Sequence, residues 1–192
     1  HQVTREPFNP NNFRVSGSMD YYLNDKNSIG IGASLNTRNS TRIASSETII
    51  SDENSINTLF SENSFNRERK NYSINPYYEY KSETDRLLID FNYIDFVSDN
   101  TNTLYDVAGS TIPFTDRKYI QDGTYNIKTY SLDYTKTFSD NLKVSAGSRF
   151  ADVATDNDLQ SLVDENGNFN LVDEESSQFL IDETIFAVYS KL

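Results

Sequence analysis

The residues best suited to chemistry in this 192-residue chain are carboxylates. Asp152, Asp156, Asp158, Asp164, Glu165, Asp173, Glu174 and Glu175 crowd one stretch. Clustered oxygens could hold Ca²⁺, which takes about six to eight such ligands, but the EF-hand spacing of glycine and glutamate does not occur. A carboxylate pair could also cleave a glycosidic bond, yet nothing in the spacing fixes a separation, and no aromatic platform accompanies the acids. Acid runs of this kind are usually solvated loop residues. His1 is the only histidine and cysteine is absent. A histidine-based triad, a zinc site and a disulfide framework are therefore not expected. Gly30 and Gly32 make GIGAS, which completes no dinucleotide fingerprint; glycines in a strand mark a bend or a close approach. No catalytic, cofactor-binding or metal-binding residue is assigned, and the chain reads as a non-enzyme.

With no chemistry to anchor function, the elements must carry it. The formal charge is −12 and the pI about 4.4, a balance that repels phosphate backbones and argues against nucleic acid as a partner. Hydrophobic residues make up 36% of the chain and aromatics 13%. Disordered chains are poor in aromatics, so this composition suits strands that are apolar on one side and joined by polar segments. No apolar run reaches the length of a membrane helix and no signal peptide is recognisable. The sequence opens on His1-Gln2 in mid-pattern and stops on Lys191-Leu192 with no terminal signature, so residues 1–192 read as a piece of a longer protein.

Three alternating hairpins stand out. Phe13, Val15, Gly17, Met19, Tyr21 and Leu23 share one parity, opposed by Arg14, Ser16, Ser18, Asp20 and Asn24. Ile29, Ile31, Ala33 and Leu35 answer them after a short turn. The second hairpin runs through Tyr72, Ile74, Pro76, Tyr78 and Tyr80, then Leu87, Ile89, Phe91 and Tyr93. Pro76 is awkward here, because proline belongs at edges or bulges. The third runs through Tyr130, Leu132 and Tyr134, then Leu142, Val144, Ala146, Ser148 and Phe150. Residues 184–192 are apolar on both parities and their faces are left open, and residues 1–12 read as a loop. Short turns fall near residues 25, 83 and 140, and polar stretches of roughly 25–35 residues alternate with them, far above ordinary loop lengths. The first of these stretches has no helical stripe and could hold strand extensions. The third contains Asn166-Gly167, a strong hairpin-turn signal.

Short turns at one end and long loops at the other are the signature of an outer-membrane barrel. Tyr21, Tyr22, Tyr80, Tyr93 and Tyr134 suit the aromatic girdle at a lipid boundary. The fold expected is all-β, an antiparallel up-and-down transmembrane barrel segment of about seven strands, with the apolar parity facing lipid. The rival is a soluble, secreted β-sandwich whose loops bind a glycan or protein; there the same parity would be the core. The run Arg67-Glu68-Arg69-Lys70 reads as a strand end near a loop rather than a lipopolysaccharide site. Phe60, Phe65, Phe114 and Tyr119 read as loop aromatics that could touch a ligand or pack the loops.

The strings NFRVSGSMDYYLNDKNSIGIGASL, RKNYSINPYYEYKSETDRLLIDFNY and IKTYSLDYTKTFSDNLKVSAGSRF resemble the barrel of TonB-dependent outer-membrane receptors, nearest the β-barrel family common in Bacteroidetes. Tyr130, Leu132, Asp133, Tyr134, Thr135 and Lys136, then Leu142, Ala146, Gly147, Arg149 and Phe150, match a phrase of that group. TDNDL (155–159) and the closing IFAVYSKL are similar to its next loop and strand. The resemblance implies a Gram-negative outer-membrane protein that imports a scarce or bulky solute. Its partners would be outer-membrane lipid, lipopolysaccharide and, through a plug, TonB. Residues 1–192 would form part of one barrel domain of about twenty-two strands, without plug or TonB box. A barrel that anchors a surface complex without transport is the other reading. No functional residue of the family can be placed on a position of this chain.

Overall fold

Side-chain alternation carries the chain into one antiparallel sheet. The computed structural model describes residues 2–5, 8–51, 55–106, 115–140 and 142–192. The strands are β1 (Gln2–Arg5), β2 (Phe8–Asn24), β3 (Asn27–Ser51), β4 (Ile56–Lys81), β5 (Asp85–Asp106), β6 (Arg117–Ser139), β7 (Leu142–Glu165), β8 (Asn168–Leu171) and β9 (Ser177–Lys191), with a 3₁₀ turn at Asp173–Glu175. Each strand pairs with its neighbours in chain order, and β1 and β2 follow one another along the same edge of β3. At the other side β8 and β9 both line β7. The nine segments thus fill seven lanes of an up-and-down wall.

Two expectations are corrected. Residues 2–5 and 8–12 are strand rather than loop, and Pro10 pairs with Ser40 on β2, which is partnered only by β3 among the described residues, a setting in which proline is tolerated. Pro76 sits in the interior strand β4. Its ladder to β3 is unbroken, whereas the ladder to β5 skips residues 75 and 76. The Asn75 side-chain amide donates instead to the carbonyl oxygen of Phe91 at 3.0 Å. A side chain thereby satisfies an acceptor that the imide nitrogen cannot.

The polar stretches are largely strand. β3 and β4 remain paired from Asn27↔Tyr80 to Ser51↔Ile56, so residues 37–51 and 56–71 are the strand extensions that the first polar stretch allowed. β5, β6 and β7 extend likewise. Asn166 (φ 58°) and Gly167 (φ 88°) form the tight turn between β7 and β8, the left-handed pair that a two-residue hairpin demands.

Among the described residues no hydrophobic side chain is buried. Met19 is 68% exposed, Phe186 69% and Val188 71%, and no second sheet covers them. The apolar parity is not the core of a sandwich; its burial must come from a solvent other than water.

Candidate functional site

The two faces of the wall follow from the register. Partners across a ladder share a face, so one row joins Met19, Ile31, Pro76, Phe91, Tyr130, Phe150 and Phe186, and the row below it joins Tyr21, Ile29, Tyr78, Ile89, Leu132, Ser148 and Val188. The rings of Phe91, Tyr130 and Phe150 form a ladder, with centroids 4.8 and 6.1 Å apart. This places the even residues of 184–192 on the apolar face and Tyr189 on the other. Tyr21, Tyr80, Tyr93 and Tyr134 lie on the apolar parity as expected, whereas Tyr22 lies opposite Ser28 on the polar one.

The upper border of the apolar belt steps down the sheet: Phe13 opposite Thr37, then Leu35 and Tyr72, then Tyr93, then Tyr130, Phe150 and Phe186. A border that shifts in one direction across paired strands is what tilted strands produce when a level slab of hydrocarbon meets them. The belt comprises residues 13–23, 29–35, 72–80, 87–93, 130–134, 144–150 and 186–190.

The opposite face within the belt is polar and cross-linked. Tyr77 on β4 lies across Gly30 and donates its hydroxyl to Asp20 on β2 at 2.5 Å. Tyr189 on β9 lies across Gly147 and donates to Asp133 on β6. A Cβ at Gly147 would come within 2.6 Å of the Tyr189 ring and 2.7 Å of Asp133, so each glycine is the slot through which a tyrosine reaches an aspartate one strand further on. Gly32 faces open space. Ser34 and Ser73 bond at 2.8 Å, and Thr135 and Ser145 at 3.0 Å. Such a face suits water rather than hydrocarbon.

Below the belt, at the short turns, Asp85 accepts hydrogen bonds from Tyr134, from Thr84 at 2.7 Å and from Lys136 at 3.1 Å. These donors, Tyr134 foremost, hold its carboxyl at about 2. Above the belt the extended hairpins separate charge by face. Glu68, Asp99, Asp122 and Asp158 stand in one row on the apolar parity, where burial, then Asp99 and Asp158, push the Asp122 carboxyl up. Arg38, Arg42, Arg67 and Arg69 occupy the lumenal parity of β3 and β4.

The run Arg67-Glu68-Arg69-Lys70 is therefore not a strand end. It lies inside β4 and alternates, with Glu68 and Lys70 paired at 2.8 Å on the outer side and Arg67 and Arg69 turned inward. Arg38 stands directly opposite Arg69 and Ser40 opposite Arg67. These side chains, with Arg42, Ala44, Asn63 and Phe65, line a groove of about 410 Å³. Arg67 donates from Nε to Asn100 Oδ1 at 2.8 Å and lies 4.8 Å over the Phe65 ring. Burial, then Arg69 and Arg38, lower its pKa.

The clustered carboxylates are not brought together. Asp152, Asp156, Asp158 and Asp164 share the outer parity of β7. Glu175 folds inward, accepting from Ser161 Oγ at 2.8 Å and from Arg117 at 2.8 Å. Ser161, first among these contacts, holds the Glu175 carboxyl below its ordinary range. Among the described residues no group of three or more carboxylates or histidines is placed to hold a metal ion. Phe60, Phe65 and Tyr119 lie within strands; Phe65 and Tyr119 share the lumenal parity, Phe60 the outer one, and Phe114 lies outside the described residues. The arginine groove escapes a linear reading because its halves are Arg38 and Arg42 in one strand and Arg67 and Arg69 in the next; only i, i+2 spacing in each hints at a shared face.

An apolar belt of tilted strands, a polar inner face and extended hairpins beyond one rim define a transmembrane β-barrel wall. The chain belongs to the outer membrane protein beta-barrel family, whose model matches residues 78–192. It lies in the outer membrane of a Gram-negative bacterium, with the short turns on the periplasmic side and the extended hairpins outside. Among solved structures it is similar to the ferric yersiniabactin uptake receptor of Yersinia pestis, with 10% identity and a TM-score of 0.50. That match covers 97% of this chain and 35% of the receptor, so the chain spans about a third of its length. No curated protein matches the sequence.

Proposed function

We propose that this chain is a sector of barrel wall, with its extracellular hairpins, in a TonB-dependent transporter that imports a scarce or bulky solute. The observation that carries the reading is the pair of open edges. Among the described residues β2 and β9 each pair on one side only, although both carry lipid-facing residues. Hydrocarbon offers no partner for a free strand edge, so further strands must close the ring. The share of the uptake receptor that the chain overlays, 35%, supports a barrel too large to be filled by its own side chains. Such a lumen needs a plug, and the plug of the parent chain would be the part TonB grips. The polar inner face supports a wet passage rather than a packed interior, and the scattered carboxylates favour a non-enzymatic role.

The test is a deletion of the parent gene, complemented with the full-length protein. Growth on a panel of scarce solutes and energised uptake of whichever solute is affected are measured with and without a proton uncoupler. Loss of uncoupler-sensitive uptake on deletion is expected. Undiminished uptake of every solute, with loss only of a surface protein complex, would favour the anchoring role instead.

A further inference from the structure

We infer that Arg38, Arg42, Arg67 and Arg69 form a binding site, open to the lumen just outside the lipid belt, for a solute bearing several carboxylate or phosphate groups. The inference rests on the transporter reading and names the substrate class that this part of the wall would meet. Three observations carry it.

The first is uncompensated charge. Arg38 and Arg69 are direct cross-strand partners, an arrangement that destabilises a sheet. Neither has an ion-pair partner among the described residues, and none of the residues lining the groove is acidic. In a chain of net charge −12, acids were plentiful enough to neutralise them. They lie in the same stretch of strand but on the outer parity, in the row of Glu68, Asp99, Asp122 and Asp158.

The second is unfilled hydrogen bonding. Arg69 Nε and Asn63 Oδ1 are buried without a partner. A guanidinium presents a planar fork of donors that matches a carboxylate or phosphate edge, so an anion in the groove would satisfy Arg69 and relieve its repulsion with Arg38. Arg67 is already oriented by Asn100 and Phe65, which lowers the ordering cost of binding.

The third is direction. All four arginines share the parity of Gly30, Ser34 and Asn36, away from the belt of Ile29, Ile31 and Leu35. Lipopolysaccharide phosphates lie against the opposite side of the wall. A soluble anion entering the lumen meets the groove; a membrane lipid does not.

The test uses the full-length protein in detergent, with its barrel fold verified by heat-modifiable electrophoretic mobility. Mellitate and inorganic pyrophosphate are titrated calorimetrically, with myo-inositol as a neutral control. Mellitate should bind, weaken with added salt, and lose roughly tenfold in affinity in Arg38→Gln and again in Arg69→Gln. Each variant should also unfold at a slightly higher temperature than the parent protein without ligand, because it removes the facing like charge. A merely structural arginine would show the opposite. Equal affinity in parent and variants, or no anion binding by a correctly folded barrel, overturns the proposal. So does a variant that loses co-purifying lipopolysaccharide while keeping mellitate. A protein absent from the outer membrane would sink the transporter reading itself, a separate result.

Discussion

The belt and the extensions above it are made of the same strands, yet two different forces sort their side chains. Within the belt, parity separates apolar from polar: Ile31 and Phe150 face one way, Asp20 and Asp133 the other. Above it both parities are polar, and the contrast is local: Arg38, Arg42, Arg67 and Arg69 of β3 and β4 face inward, while Glu68, Asp99, Asp122 and Asp158 form an outward row. Hydrocarbon enforces the first sorting, because each misplaced charge costs a large part of a domain's net stability. Water enforces nothing comparable on the second. A charge asymmetry that solvation does not require is the mark of a surface shaped by what it binds.

The sharpest way to break this comparison is to move one charge by one residue. Ile31→Lys should destabilise the barrel by about 2–4 kcal/mol in urea titrations from bilayers, and Gly32→Lys, pointing into open lumenal space, by well under 1. Equal costs would mean the faces are misassigned. Next come the glycine slots. Gly147→Ala should cost about 1–3 kcal/mol by driving Tyr189 off Asp133, while Gly17→Ala, which meets no atom, should stay within about 0.5. Asn75→Ala leaves the Phe91 carbonyl without its side-chain donor and should cost about 1 kcal/mol; adding Pro76→Ala should restore a backbone donor and recover most of the loss.

The smallest effect is expected at the periplasmic turns, where pH rather than mutation size discriminates. The folded Asp85 carboxyl titrates at about 2, below its ordinary 3.8. Its contribution is present above the ordinary value and fades as pH falls towards 2. Asp85→Asn should therefore lower the urea midpoint slightly at pH 7, and the gap should close near pH 2. A gap that persists there would assign the effect to packing. Its exposure keeps the size small.

Much of the wall was legible from the chain alone. Alternation over Phe13–Leu23 and Ile29–Leu35 needed no partner to reveal a strand with two unlike faces, and the turns near 25, 83 and 140 followed from polar clusters between such runs. The resemblance carried in YSLDYTK and LKVSAGSRF pointed to the same family as the model matching 78–192. What fell short was local reasoning about proline and polarity. Residues 1–12 looked like a loop because Pro7 and Pro10 stand among them, yet Pro10 is accommodated in β2, which is partnered only by β3 among the described residues. Residues 37–71 lack an apolar parity, so the sequence allowed strand extensions there without fixing their pairing; above the membrane a paired hairpin needs no apolar face.

The sequence by itself determined which side chains travel together on a face, since period-two alternation is a property of one extended strand. Only tertiary structure decided what those faces meet. Placing Arg38 against Arg69, Tyr189 over Gly147 and Ile31 in the row of Phe91 depends on register between strands distant in the chain, and a register is a long-range choice that no single strand encodes.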